Sequence, residues 1–333
     1  MTTEHLITLA NGKQFPAAEG VSLLDAARQA GLVLEHSCRT GRCGSCRTRV
    51  LAGSCRPTLP DQFLGPAEQA DGWVLSCAVE ATSAMRLDIE DLGALADIQI
   101  KTLPARIASL ERPAPDVLSL TLRLPPNTRF DYLAGQYINI IGPGGLRRSY
   151  SLANAPAAGE PLLQLHVREV EGGALSRYWF GAAKPGDLLR FEGPRGSFFL
   201  RDVADLDLVL LATGTGIAPI KALLEDLQHR PAAARPRSVH LLWGGRREAD
   251  LYWRPAFEGL PGLRYTPVLS RAEAGWAGER GHVQDVLLRL QPELGRAAVY
   301  ACGSSAMIET ARGRLVAAGL PAKAFFSDAF VCA

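Results

Sequence analysis

Cys38-Arg39-Thr40-Gly41-Arg42-Cys43-Gly44-Ser45-Cys46 puts three thiols into nine residues, and Cys77 follows after a gap of thirty. Thiols crowded on one loop, with a fourth delivered from a distant segment, are the ligand pattern of an iron–sulfur centre. A structural zinc site also takes four cysteines, but usually as two separated C-x-x-C pairs. Gly41 and Gly44 let the backbone fold closely around an inorganic core, with N–H groups turned toward the sulfurs. Cys38, Cys43, Cys46 and Cys77 are therefore the expected metal ligands. Cys55 follows Cys46 too soon to be the fourth and is read as a free thiol, while Cys302 and Cys332 lie far away in sequence.

Outward from this loop, residues 1–95 read as a small β-rich module. Leu6 to Leu9 is a strand, Asn11-Gly12 a hairpin turn, and Ser22 caps a helix that stops at Gly31. A further strand runs from Thr48 to Leu51. The whole module, cysteine spacing included, resembles plant-type [2Fe–2S] ferredoxins, which implies a β-grasp fold and one-electron chemistry.

The rest of the 333 residues is long enough for two more domains. After an expected linker at Asp97–Pro104, residues 103–202 hold strand-like runs: Val117–Leu124, Gln136–Ile141, Leu162–Val170 and Leu188–Phe191. One short helical stretch, Ser176–Gly181, interrupts them, and the pattern suggests an antiparallel β-barrel. Residues 205–333 switch to strand–helix alternation. Strands at Leu208–Ala212, Val239–Trp243, Tyr265–Leu269 and Ala298–Ala301 alternate with helices at Ile217–Gln228, Val283–Leu290 and Ala306–Ala318. That rhythm implies a doubly wound parallel sheet. The fold class is thus α+β and α/β multidomain.

The first strand of this last segment runs into Thr213-Gly214-Thr215-Gly216-Ile217-Ala218-Pro219. Glycines admit a pyrophosphate to the backbone, and the helix that follows offers N–H donors and the positive end of its dipole. Pro219 suits an early helical position. Gly214, Thr215, Gly216 and Pro219 are therefore nucleotide-binding candidates.

The spacing differs from the three-glycine dinucleotide fingerprint and resembles the ferredoxin–NADP reductase superfamily. Arg148-Ser149-Tyr150-Ser151 is similar to that family's flavin motif. The resemblance implies that Arg148 pairs with the FAD pyrophosphate, Tyr150 packs on the isoalloxazine, and Ser151 lies near flavin N5. His166 and Val167, on the Leu162–Val170 strand, are further flavin candidates. Gly172-Gly173-Ala174-Leu175-Ser176 resembles the second pyrophosphate loop, implicating Gly172, Gly173 and Ser176. Pro185-Gly186-Asp187 and Gly193-Pro194-x-Gly196-x-Phe198 are also similar to the family's barrel.

Cys302 resembles the cysteine beside nicotinamide C4, with Gly303 and Met307 next to it. The tail Phe325-Phe326-Ser327-Asp328-Ala329-Phe330 is similar to family tails that fold back over the flavin. Phe330 would cover the ring and give way to nicotinamide, and Asp328 would stand where some relatives place an acid. Phe325 and Phe326 read as core. Ser151, Cys302, Asp328 and Phe330 are accordingly the expected catalytic residues.

Ferredoxin, FAD barrel and NAD domain in this order resemble two groups: bacterial oxygenase reductase components and CDP-6-deoxy-3,4-glucoseen reductases. The expected function is transfer of a hydride from NADH to FAD, then of single electrons through the cluster to a partner protein, an oxygenase component or a deoxysugar dehydrase. The contrary reading is a redox-sensing or scaffold protein whose cluster signals without sustained turnover. Arg246 and Arg247 would welcome a 2′-phosphate, but Asp250 disfavours added negative charge, so NADH is expected ahead of NADPH.

Net charge of +2 gives no electrostatic case for nucleic acid. Met1-Thr2-Thr3-Glu4-His5 is not followed by a long apolar run, and no apolar stretch approaches membrane length, so no signal peptide or membrane span is expected. Seven cysteines grouped by ligand spacing imply a reducing cytoplasm rather than a disulfide framework. Arg39, Arg42, Arg47 and Arg49 concentrate positive charge on the cysteine loop of an otherwise acidic module, which suggests an acidic docking face on the partner.

Overall fold

Asn11-Gly12 closes a hairpin between β1 (Glu4–Thr8) and β2 (Gln14–Ala18). In this computed structural model residues 3–157, 162–256, 260 and 262–330 are described, and Cys332 lies outside them. The chain divides into two units, the first ending at Ile98 and the second running from Gln99 to Phe330.

In the first unit Ser22 caps α1 (Leu23–Gln29) by accepting the Asp25 N–H, a bond of the kind that contributes about 1 kcal/mol. Leu23, Leu24, Ala26 and Ala27 form its buried face. The remaining elements are β3 (Arg47–Ala52), β4 (Cys55–Pro57), α2 (Pro66–Ala70), β5 (Trp73–Leu75), β6 (Val79–Ala81) and β7 (Met85–Leu87). The main sheet runs β2-β1-β7-β3-β5, with β1 and β7 parallel and the other pairs antiparallel. Ile7, Phe15, Leu23, Leu34, Leu75 and Leu87 bury their side chains between sheet and helix.

The second unit opens with β8 (Lys101–Ala114), which starts inside the stretch expected to be linker. Pro104 reads as a break in sequence, yet here it lies within β8 opposite Arg190. There follow β9 (Val117–Arg123), β10 (Tyr137–Ile141), β11 (Arg147–Ser151), β12 (Leu162–Arg168), α3 (Ala174–Arg177) and β13 (Leu188–Arg195). The helical stretch begins at Ala174, earlier than expected, and continues as a π-turn over Tyr178–Ala182. These strands form an antiparallel sheet ordered β11-β10-β13-β8-β9-β12. A bridge between Leu152 and Leu165 joins the two outer strands and closes the sheet into a barrel.

The same unit continues through β14 (Asp207–Thr213), α4 (Ile217–His229), β15 (Ser238–Gly245), β16 (Leu263–Leu269) and β17 (Glu279–Arg280). It finishes with α5 (Val283–Arg289), β18 (Ala297–Ser304), α6 (Ser305–Ala317) and β19 (Phe325–Phe330). All pairs in the sheet β17-β16-β15-β14-β18-β19 are parallel. Strand order reverses at β14, so a crevice opens at its carboxyl end, the usual ligand position in such sheets. The tail Phe325–Phe330 is the outermost strand of this sheet.

Candidate functional site

Gly41 (φ 74°) and Gly44 (φ 71°) take left-handed backbone in the cysteine loop. A Cβ at Gly41 would stand 2.5 Å from the Pro60 carbonyl oxygen, and one at Gly44 would strike the Phe63 ring. Larger residues would force the loop apart. Cys46 Sγ lies 3.2 Å from Cys77 Sγ. The Cys38 N–H donates to Cys43 Sγ at 3.4 Å, and the Thr40 N–H donates to Cys38 Sγ at 3.4 Å.

The thiols therefore stand as two pairs, Cys38 with Cys43 and Cys46 with Cys77. Within each pair one thiol stabilises its partner's thiolate. Hydrogen bonding from Cys43 lowers Cys38 to about 5, and Cys46 lowers Cys77, while Cys43 and Cys46 are pushed up. Two sulfurs for each of two irons describe this arrangement better than four sulfurs around one zinc. The donor set thus fits a [2Fe–2S] centre. Cys55 is half-buried on β4, and burial raises its thiol.

The basic loop is less available than its sequence implies. Arg39 pairs with Asp25, Arg47 with Glu68 at 3.0 Å, and Arg49 with Asp71 at 2.7 Å. The Arg47 guanidinium also lies 4.1 Å from the centre of the Trp73 ring. Arg42 is exposed and makes no ion pair among the described residues.

On the barrel, Arg148 is exposed at the start of β11 and donates to the Arg147 carbonyl at 2.8 Å. Tyr150 is partly buried, and its hydroxyl accepts the Trp179 indole N–H at 2.9 Å. Ser151 is buried beside the closing bridge. The Ser176 hydroxyl accepts the Val170 N–H at 2.9 Å, and the Gly173 N–H donates to the Val170 carbonyl at 3.0 Å. These bonds fold the Gly172–Gly173 turn over the start of α3. A Cβ on Gly142 would meet Leu175 at 2.7 Å, so α3 sits against the end of β10 beside the arginines of β11. An exposed guanidinium, a tyrosine ring and a glycine turn in this setting fit a flavin with its diphosphate.

The Gly214 loop leaves β14 at the switch point. The Trp243 indole N–H donates to the Gly214 carbonyl at 3.0 Å, and Thr215, Gly216 and Pro219 are buried. Gly216 has no room for a Cβ beside the Cys302 carbonyl. Across the crevice the Thr213 hydroxyl accepts the Ser304 N–H at 3.3 Å, and Gly303 packs on Thr213. Met307, in the first turn of α6, donates its N–H to the hydroxyl of the capping Ser304 at 3.3 Å. Cys302 is fully buried, with Asp328 opposite it across the β18–β19 ladder and Phe330, 37% exposed, opposite Ser304. Backbone this close at the ends of three adjacent strands fits a dinucleotide.

His166 is buried on β12, and its Nδ1 lies 3.2 Å from the Tyr252 hydroxyl. Burial first, then the Lys221 charge, lowers His166 to about 4, so the imidazole is neutral near pH 7. Val167 points into the barrel core. Arg246 and Arg247 donate their backbone N–H groups to Asp250 Oδ2 at 2.7 and 3.1 Å.

The sequence matches a 2Fe-2S iron-sulfur cluster binding domain over residues 7–82. It matches an oxidoreductase FAD-binding domain over residues 104–200 and an oxidoreductase NAD-binding domain over residues 210–313. Over 318 residues it is 41% identical to CDP-6-deoxy-L-threo-D-glycero-4-hexulose-3-dehydrase reductase of Yersinia pseudotuberculosis, covering 94% of each chain. The chain belongs to the three-domain iron–sulfur flavoprotein reductases.

The reductase is also 36% identical over 328 residues to reductase component 2 of terephthalate 1,2-dioxygenase from Comamonas, covering 95% of this chain and 94% of that one. Among solved structures, Amycolatopsis cytochrome P450 reductase GcoB matches with TM-score 0.71 and 29% identity over 98% of both chains.

Sequence reasoning missed what joins the barrel to the parallel sheet. Gln164, His166 and Arg168 alternate along β12, so they share one face. Lys221 donates to Gln164 Oε1 at 3.0 Å, His166 meets Tyr252, and Arg168 donates to Asp250 Oδ1 at 3.0 Å. Three polar residues alternating with Leu163, Leu165 and Val167 were the available signal, since polar groups that become buried on folding need partners.

Proposed function

We propose that this reductase draws electrons from NADH and delivers them singly to a partner protein, a dehydrase or an oxygenase component. When bound, FAD would supply a hydride acceptor and the [2Fe–2S] centre a one-electron carrier. The observation that carries this reading is the pairing of Cys38 with Cys43 and Cys46 with Cys77 on the chain that also holds the barrel and the parallel sheet.

In this reading Arg148, Gly172, Gly173 and Ser176 hold the flavin diphosphate. Tyr150, fixed by Trp179, would pack on the flavin ring, and Phe330, exposed at the end of the last strand, would cover the ring and give way to nicotinamide. Ser151 and His166 would lie by the ring edge with only the backbone of Val167 beside them, and a neutral His166 adds no charge there. Gly214, Thr215, Gly216 and Pro219 receive the NADH pyrophosphate. Cys302, Gly303, Met307 and Asp328 set the position of the nicotinamide. Hydride transfer needs no general acid or base, so positioning is the main task of these side chains.

Asp250 beside Arg246 and Arg247 supports NADH over NADPH. The curated relatives above are named for a dehydrase and a dioxygenase, which supports an acceptor of one of those kinds. The six described cysteines are free, in keeping with a reducing cytoplasm. No helix among the described residues is long and apolar enough to cross a membrane.

Anaerobic NADH titration, followed by visible absorbance and low-temperature EPR, tests the reading. Flavin bleaching with a reduced [2Fe–2S] signal is the expected result. Flavin bleaching with no cluster signal would overturn it.

A further inference from the structure

The Arg246–Asp250 turn lies beside the Gly214 loop, because Thr213 at the end of β14 is in register with Gly244 on β15. Arg168 reaches both places from the barrel. A Cβ on Gly214 would come within 2.7 Å of its guanidinium, which also bonds Asp250 Oδ1 at 3.0 Å and Asp116 at 2.8 Å. Asp250 Oδ2 takes the N–H groups of Arg246 at 2.7 Å and Arg247 at 3.1 Å. Gly245 leaves room for this, since a Cβ there would stand 2.8 Å from the Asp250 Cβ.

A carboxylate that merely capped its own turn would use one oxygen. Here the second oxygen is gripped by β12, 82 residues away in sequence. Two successive backbone N–H groups and a guanidinium are donors suited to a phosphate. Asp250 satisfies all three.

We propose that Asp250 is an internal stopper of an anion pocket made by Arg168, Arg246 and Arg247, and that the reductase rejects NADPH because this pocket is already filled. The proposal rests on the NADH reading and gives it a mechanism. A ribose 2′-hydroxyl is tolerated beside the stopper. A 2′-phosphate meets a negative charge and donors already engaged. Both Asp250 oxygens are occupied within the protein, so its role differs from that of an acid that bonds the ribose hydroxyls.

The test uses full-length holoenzyme and reads the ratio of kcat/KM for NADPH to that for NADH in anaerobic flavin reduction. Binding of 2′,5′-ADP, measured by calorimetry, gives a second readout. D250S removes the charge and frees the donors, and the ratio should rise about tenfold or more, with 2′,5′-ADP tightening in step. D250N keeps the shape of the turn and should give a smaller rise, so the idea stays testable if D250S loses its flavin. Adding Arg168→Gln to D250S should take back most of the gain.

Loss of NADH efficiency in D250S and D250N with no gain for NADPH would overturn the proposal, because Asp250 would then be holding ribose. A gain indifferent to Arg168→Gln would overturn the pocket as drawn. A wild-type enzyme that prefers NADPH would instead sink the NADH reading before any variant is made.

Discussion

Asp328 stands directly opposite Cys302 in the parallel β18–β19 register, and complete burial with the nearby carboxylate pushes the Cys302 thiol well above its usual range. Reactive cysteines sit in exposed, electropositive surroundings that favour the thiolate. Cys302 is the reverse, a protonated thiol suited to packing against a bound ring. Iodoacetamide should leave it unlabelled in the native holoenzyme, as mass spectrometry would show. Cys302→Ala should keep its flavin while its limiting rate of reduction by NADH falls roughly ten- to hundredfold, the scale of a small misplacement of reacting atoms.

Removing a cluster ligand should separate the two halves of the electron path. Cys77→Ala loses the partner of Cys46 and should abolish the EPR signal of the reduced cluster. Flavin reduction by NADH, followed by stopped-flow absorbance, should continue within a few-fold of wild type. Cys55→Ser should retain both signals, and loss of the cluster in that variant would reassign the fourth ligand.

The arginines of the cysteine loop should differ in what they do for stability. Arg47 is held by Glu68 and by the face of Trp73, so Arg47→Ala should cost about 1–2 kcal/mol. Arg42 is exposed without an ion pair among the described residues, so Arg42→Ala should stay within about 0.5 kcal/mol. Denaturant titration of the full chain, monitored by bleaching of the cluster, checks both. Any electrostatic docking to an acidic partner then rests chiefly on Arg42, and its salt dependence should be shallow.

Acid should weaken the second unit before its carboxylates titrate. His166 titrates near 6.5 when unfolded and at about 4 in the fold, so between those values the unfolded chain binds the extra proton. Stability is therefore full above about pH 6.5 and declines as pH falls toward 4, by roughly 3 kcal/mol at most. His240, also lowered to about 4 by burial, works in the same direction. His166→Gln should flatten the profile of melting temperature between pH 6.5 and 5, read from flavin fluorescence.

Much of this architecture was legible because local chemistry announced it. The cysteine spacing, the Gly214 loop and the capped helices each carry their meaning within a few residues. β8 was hidden because Pro104 and neighbouring polar residues look like linker, while its pairing with β9 and β13 decides the matter. The tail at Phe325–Phe330 is the last strand of the sheet, a placement set by its parallel register with β18 that no local pattern in the tail announces. The contacts of Gln164, His166 and Arg168 join residues far apart in the chain, and no local pattern names the partner. The partners of the loop arginines were hidden for the same reason, since Asp25, Glu68 and Asp71 meet three of them only after folding.

The grip of β12 on Lys221, Tyr252 and Asp250 bears on how such a chain can be cut and recombined. Ala134, Phe198 and Leu200 of the barrel share one apolar core with Leu210, Ile220 and Leu223 of the parallel sheet. Severing the connection between Arg195 and Asp207 would strip both fragments of a common interior and leave charged groups without their counterparts. Residues 99–330 are therefore one inheritable block. Gene fusion and fission can act before Gln99, so a lineage can exchange the module that hands on electrons while keeping the one that collects them.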